Sequence, residues 1–296
     1  MNDFEEIKKI FSTKIKELYQ PQWGLCLSGG GMRGMAHIGV IKALEENNLY
    51  PDLIAGTSAG SMIGAAYALG MKAEEIKDFF LGLKFKDMIK KQKKDIRKTN
   101  IVEIFEHIGE VRKNLSISFD GGILERVAAE LLEDKSFEDT LIPFYAVATD
   151  LTNVKEVIFE SGKLTTACRA SASIPGVFTP YIKDDIILVD GFVLNNLPAD
   201  VLRAKGAKIV LSINLKAFGS HGAKSAKFSD VVSSTIDIMS NASAIKGIED
   251  SDLVIEPDLS EYSTYTMGED NMKKMYEIGY EAALKRMSDI AALFMQ

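Results

Sequence analysis

The sequence predicts an α/β fold, a three-layer sandwich whose mainly parallel, mixed central sheet is flanked by helices. Two observations lead there. Short apolar runs at Leu53 to Ala55, Ile186 to Val189 and Lys208 to Leu215 are separated by segments of helical periodicity. Strands that read as continuous apolar runs and alternate with helices belong in a parallel sheet covered on both faces. The connection between the strand runs 143–151 and 154–159 is too short for a crossover, so that pair is antiparallel and the sheet is mixed.

Each element has a local reason. Apolar residues Phe4, Ile7, Ile10, Phe11, Ile15 and Leu18 are spaced for a helix with one buried stripe within residues 1–22. Gln20, Pro21 and Gln22 turn the chain into a strand at Trp23 to Leu27, and a helix follows from about Arg33 to Glu46. Asn47 and Asn48 end it. Leu53 to Ala55 is a short buried strand, Ala59 to Leu69 a small-residue helix, and Ala73 to Leu81 a further helix. Residues 121–133 are predicted helical, as are Leu164 to Ser171, the latter closed by the turn at Ile174-Pro175-Gly176. Pro198 is suited to the first turn of a helix. Residues 216–227, rich in Gly, Ser and Lys, form a loop, and residues 228–246 and 270–294 form two helices around a strand at Leu253 to Glu256. The chain divides into an N-terminal helix (1–22), a central domain (23–215) and a mostly helical extension (216–296) packed on the same domain. No internal repeat is present.

The 296 residues suffice for a sizeable core, and 46% hydrophobic with 26% charged residues is ordinary for a globular protein. The net charge of −7 argues against general nucleic-acid binding, which needs clustered Lys and Arg. Two cysteines, Cys26 and Cys168, are too few for a disulfide framework. The amphipathic N-terminus lacks the apolar core of a signal peptide, and no window offers 18 apolar residues, so a cytoplasmic location is expected. The one charge anomaly is 84–98, KFKDMIKKQKKDIRK, with eight basic and two acidic residues. It is either a solvated face or a basic amphipathic element that touches an anionic membrane, here the inner membrane face.

Two glycine clusters carry the chemistry. Gly56-Thr57-Ser58-Ala59-Gly60 stands between a strand and a helix, which is the nucleophile-elbow pattern: Ser58 is presented on a sharp turn that Gly56 and Gly60 permit. The following helix starts directly behind Ser58, and its N-terminal dipole favours a developing negative charge. The first cluster, Gly29-Gly30-Gly31-Met32-Arg33-Gly34, also fits the dinucleotide pattern Gly-x-Gly-x-x-Gly at Gly29, Gly31 and Gly34. That use needs an acid at the end of the second strand, where this chain has Gly-Thr-Ser. The better use is an oxyanion hole built from backbone N–H groups. Arg33 either holds this loop or meets an anionic headgroup.

A serine nucleophile needs a base. His37 lies in the helix after the first cluster and is expected to be packed; His107 has no chemical context. His221 would give the order Ser58, Asp190, His221 of a triad hydrolase, but with the nucleophile unusually early. Asp190 is preferred: it ends a strand, as Ser58 does, and Gly191 allows a tight turn after it.

With these residues in view, the chain resembles the patatin-like phospholipases, the family of patatin and of bacterial, neuropathy-target-esterase-like lipid hydrolases. The resemblance runs from Leu25 to Lys205, about 60% of the chain, on GGGMRG at 29–34, GTSAG at 56–60 and DGF at 190–192. ACRASASIPGVFTPY (167–181) and DGFVLNNLP (190–198) also look like the family. The resemblance implies a Ser58–Asp190 dyad with no histidine, metal or other cofactor. It implies an oxyanion hole at Gly29 to Gly31, with Arg33 and Gly34 nearby, and hydrolysis of acyl esters in phospholipids, lysophospholipids or neutral lipids. Phe192 departs from the Gly or Ala usual after Asp-Gly; Phe178 and Phe192 are candidates to line the acyl pocket. An acyltransferase on the same dyad and a non-catalytic lipid-binding regulator are the alternatives. Oligomeric state is open.

Overall fold

The computed structural model describes residues 23–83, 120–216 and 228–295. The predicted helix within 1–22, the basic stretch 84–98, His107 and His221 lie outside the described residues.

In chain order the elements are β1 (Trp23–Leu27), α1 (Met35–Glu46), β2 (Leu53–Thr57), α2 (Ala59–Ala68), α3 (Ala73–Gly82), α4 (Gly122–Leu132), β3 (Phe144–Asp150), β4 (Lys155–Phe159) and α5 (Leu164–Ser171). There follow β5 (Tyr181–Lys183), β6 (Ile186–Asp190), α6 (Ala199–Ala204), β7 (Ile209–Ile213), α7 (Phe228–Glu249), β8 (Leu253–Ile255), α8 (Glu269–Lys285) and α9 (Met287–Leu293). Short 3-10 turns at Gly31–Gly34 and Gly191–Val193 follow the loops after β1 and β6.

One sheet runs in the order β5-β6-β3-β2-β1-β7-β8, with β4 paired to β3. β1, β2, β3, β7 and β8 pair in parallel, while β3–β4, β3–β6 and β5–β6 are antiparallel. The mixed sheet expected from the short 151–154 connection is therefore present. Side chains alternate across it, as the pleat requires. Leu25, Leu27, Ile54, Leu211 and Ile213 enter the core beneath α1, α2 and α8. Cys26, Leu53, Ala55 and Val210 face Val201 and Leu202 of α6 and Ala244 of α7. Helices thus cover both faces of the sheet.

The register of β3 places the site. Residues 146 and 147 pair with β2 on one side and β4 on the other; residues 148–150 pair with β4 and β6. A strand has two edges, so β2 and β6 lie end to end along the same edge of β3.

Some local expectations change. β2 extends to Thr57, so the turn falls at Ser58 itself. The helix after the first glycines starts at Met35 because residues 31–34 form a 3-10 turn. Pro198 caps α6 from outside rather than occupying its first turn. The region 270–294 is two helices that meet at Arg286. The break brings Ile290 into the core and sets the Phe294 ring 5.4 Å from that of Trp23. β5 has only three residues, half-buried or exposed, and offers no apolar alternation to read.

Candidate active site

Ser58 joins β2 to α2 with φ 55 and ψ −120. This is a sparsely populated conformation for a residue with a Cβ, costing on the order of 1–3 kcal/mol. Its neighbours hold it. The Ser58 N–H donates to Ser171 Oγ at 2.8 Å, and Ser171 Oγ donates onward to Val147 O at 2.6 Å. Ser58 O accepts from Ser61 Oγ at 2.6 Å. The flanking glycines answer to close backbone approach: a Cβ on Gly60 would stand 2.3 Å from Leu27 O, and one on Gly56 2.4 Å from Gly60 O. The β1 loop, β2 and the first turn of α2 are thereby in direct contact.

Asp190 ends β6 opposite Ala148, next to Val147, which is the partner of Thr57. Its carboxyl group is fully buried. Oδ1 accepts the Phe192 N–H at 3.1 Å, and Oδ2 has no hydrogen-bond partner among the described residues. Burial pushes its pKa up to about 7, against a smaller downward pull from the Ser58 hydroxyl and the Phe192 N–H. The Ser58 hydroxyl therefore lies beside the Asp190 carboxyl, whose Oδ2 has no hydrogen-bond partner among the described residues. Two contacts fix the relative position of the strand ends: Thr57 Oγ1 donates to Asn195 O at 2.9 Å, and Asp190 N donates to Ser173 O at 3.0 Å.

The first glycine loop stands beside Ser58. Gly29 N–H is engaged twice, by Asn196 O at 3.2 Å and Asn196 Oδ1 at 3.1 Å. The N–H groups of Gly30, Gly31 and Ala59 have no acceptor among the described residues. Arg33 is buried, at 4% exposure, and its guanidinium donates to Gly30 O (3.3 Å), Lys216 O (3.3 Å) and Thr264 Oγ1 (2.9 Å). Of its two expected uses, these contacts match holding the loop. Gly34 closes the turn against Ile63 and Ala59 of α2.

His37 is fully buried, its Nε2 2.8 Å from Ser28 O, and burial lowers its pKa to about 4. It is packed and neutral. Phe192 is buried, with its N–H on Asp190 and its carbonyl accepting from Ser243 Oγ at 2.6 Å; Phe178 is half-buried. Asp52 stands at the start of β2 and accepts the Trp23 N–H at 3.1 Å, so the dinucleotide reading has no acid at the end of that strand. Among the described residues, no group of three or more His, Cys, Asp and Glu side chains is placed to share a metal ion. Among the same residues no helix is long and apolar enough to cross a membrane.

Sequence reasoning did not single out Ser171, Asn195, Asn196 or Thr264. The first three fall inside the stretches 167–181 and 190–198 already noted for their resemblance, and that was the available signal. Thr264 had none.

The site thus places a strained serine between strand and helix, beside a glycine loop and a buried carboxylate on an α/β sheet. Residues 25–203 match the family model described as patatin-like phospholipase, and the chain belongs to that family. It is 35% identical over 207 residues to patatin-like phospholipase domain-containing protein 6 of Mus musculus and of Homo sapiens, covering 69% of this chain. It is 26% identical over 304 residues to lysophospholipase NTE1 of Mycosarcoma maydis, covering 93% of this chain. The alignments span only 14% and 15% of those relatives' length. In fold the chain is similar to VipD from Legionella pneumophila, with a TM-score of 0.54 at 14% identity over 92% of this chain and 67% of that one.

Proposed function

We propose that the chain is a serine lipid acyl hydrolase that cleaves carboxylic esters of phospholipids, lysophospholipids or related acyl lipids. The observation that carries this reading is the meeting of Ser58 and Asp190 at abutting strand ends, with Asp190 Oδ2 buried and without a hydrogen-bond partner among the described residues. The names of the relatives support a lipid ester as substrate.

In the mechanism, Asp190 Oδ2 takes the Ser58 proton as Ser58 Oγ attacks the ester carbonyl carbon. A raised pKa makes this carboxylate a better base than an ordinary one, because proton affinity near the working pH is what general-base catalysis needs. The oxyanion is received by the free N–H groups of Gly30, Gly31 and Ala59, beside the N-terminus of α2. Gly29 and Arg33 act one step back, by shaping the loop. The C–O bond breaks, and the alcohol or lysolipid leaves with the proton from Asp190. Asp190 then takes a proton from water, which attacks the acyl-Ser58 ester. Collapse breaks the acyl C–Oγ bond, Asp190 returns its proton to Ser58 Oγ, and the fatty acid is freed. Phe178 and Phe192 are assigned to the acyl side of the site.

Residues 23–215 are taken as the catalytic unit and 216–296 as an extension packed on it. The basic stretch 84–98 is assigned a peripheral contact with anionic membrane on its charge alone, at a cytoplasmic face.

The test is labelling by a fluorophosphonate serine probe, with p-nitrophenol release from short and long acyl esters. Wild type, Ser58→Ala, Asp190→Asn and His221→Ala are compared. Labelling and turnover are lost in Ser58→Ala, turnover is lost in Asp190→Asn, and both persist in His221→Ala. A His221→Ala variant as inactive as Ser58→Ala would replace the dyad by a triad. Turnover that needs an added alcohol would make the chain an acyltransferase.

A further inference from the structure

Among the described residues the N–H groups of Gly30 and Gly31 have no acceptor, and they are bracketed by two that are pinned. On one side Gly29 N–H is held by Asn196. On the other, Met32 N–H donates to Thr264 O at 2.9 Å. Thr264 makes a second contact, accepting from Arg33 Nη2 at 2.9 Å through Oγ1. It also fits closely against Gly31: a Cβ there would stand 2.5 Å from both Thr264 O and Thr264 Cγ2. Gly31 has φ +57, which a residue without a side chain adopts at little cost. Arg33 continues the brace to Gly30 O and Lys216 O, which connects the glycine loop to the chain after β7.

Thr264 lies in a compact turn. Ser263 N donates to Thr266 Oγ1 at 2.9 Å and Thr266 N to Ser263 O at 3.0 Å. The turn lies beyond the residues matched by the family, which stop at 203.

We infer that Thr264 is a positioning residue: it clamps the Gly31–Arg33 segment so that the Gly30 and Gly31 N–H groups converge on the carbonyl attacked by Ser58. The inference rests on the hydrolase reading above. Pinning Met32 N–H fixes the Gly31–Met32 peptide plane and pinning Gly29 N–H fixes the Ser28–Gly29 plane, so the two planes that carry the Gly30 and Gly31 N–H groups are held from both ends. Without the Thr264 Oγ1 contact Arg33 loses its anchor on this side of the loop, the main-chain contact to Met32 N–H is left to hold the segment alone, and the Gly31 N–H is less firmly aimed at the oxyanion. Oxyanion donors act by preorganisation, so a loosened donor lowers the rate of the chemical step more than it weakens ground-state binding.

The experiment uses the full chain and compares Thr264→Val, Thr264→Ser and Thr266→Val with wild type. Thr264→Val keeps the shape and the carbonyl but removes the acceptor for Arg33; Thr264→Ser keeps that acceptor. Thr266→Val loosens the same turn without touching the glycine loop. Steady-state kcat and KM for a p-nitrophenyl ester, the rate of fluorophosphonate labelling and the melting temperature are read for each. Thr264→Val is expected to lose roughly 10- to 100-fold in kcat and in labelling rate with KM within about twofold. Thr264→Ser recovers most of the loss, and Thr266→Val stays near wild type even if its melting temperature falls as far. Equal losses in Thr264→Val and Thr266→Val, or a loss confined to KM, would overturn the positioning role. A wild type that neither labels nor turns over overturns the hydrolase reading, and the positioning role with it.

Discussion

Ser58 follows one strand and Asp190 ends another, and the two strands run in opposite directions and abut on one edge of β3, where Thr57 pairs with Val147 and Asp190 with Ala148. Two consecutive residues of one strand thereby fix where the proposed nucleophile and the proposed base meet. Hydrogen bonds through Ser171, Asn195 and Ser173 surround them.

In the proposed mechanism the pKa of Asp190 gives the reaction a pH dependence. Its carboxyl is raised to about 7 chiefly by burial, and only the ionised form accepts a proton from Ser58. We expect kcat/KM to fall about tenfold per pH unit below 6 and to level off above 8, with an apparent pKa near 7. A profile flat from about pH 5 to pH 8 in a stable enzyme would remove Asp190 as the base.

The same burial affects stability with a definite sign. The folded pKa of about 7 exceeds the ordinary 3.8, so between these values the native state holds a proton that the unfolded state has released. Stability therefore declines as pH rises from about 4 to about 7 and then stays lower by an amount on the order of a few kcal/mol. Asp190→Asn removes the buried charge and can still accept from Phe192 N–H. Its melting temperature should exceed that of wild type at pH 8 by several degrees and match it near pH 4. An equal gap at both pH values would show that ionisation is not the cause.

Ser171 is a buried link between Ser58 N–H and Val147 O. Ser171→Ala leaves the Ser58 N–H without its acceptor on a turn already strained. A loss of about 1–3 kcal/mol in stability and about tenfold or more in kcat is expected. Denaturant unfolding and ester turnover measure both, and turnover equal to wild type would exclude a supporting role.

Gly60→Ala tests the close contact of β1 with α2. Its Cβ would fall 2.3 Å from Leu27 O and 2.7 Å from Ser28 O, both main-chain atoms that a rotamer change cannot move. Overpacking of about 1–3 kcal/mol or more should lower the melting temperature by roughly 3–10 °C. An unchanged melting curve would mean that the loop and helix are farther apart.

Charge carries the membrane prediction. Reversing Lys90, Lys91, Lys93 and Lys94 to glutamate should weaken binding to anionic vesicles about 100-fold or more, at about 1 kcal/mol per basic residue. Turnover of a water-soluble ester should be unaffected. Vesicle binding equal to wild type would discard the contact.

The sequence by itself determined the elements and the local turn. Apolar runs and helical periodicity located β1, β2, α1 and α5, and the short 151–154 connection required an antiparallel pair, because these signals arise within a few residues of one another. Gly-x-Ser-x-Gly likewise marked the strained Ser58, since the crowding at Gly56 and Gly60 is local. Only the tertiary structure decided how the site is assembled. Asp190 was expected beside Ser58 as another C-terminal strand end; it arrives on an antiparallel strand that lies end to end with β2. Gly29 belonged to the predicted oxyanion donors, yet its N–H is engaged by Asn196, 167 positions away. Arg33 is bound to Thr264, 231 positions away, and the high pKa of Asp190 follows from burial by several elements at once. Such pairings depend on strand order, register and desolvation, which are properties of the packed chain and leave no periodic mark in its sequence.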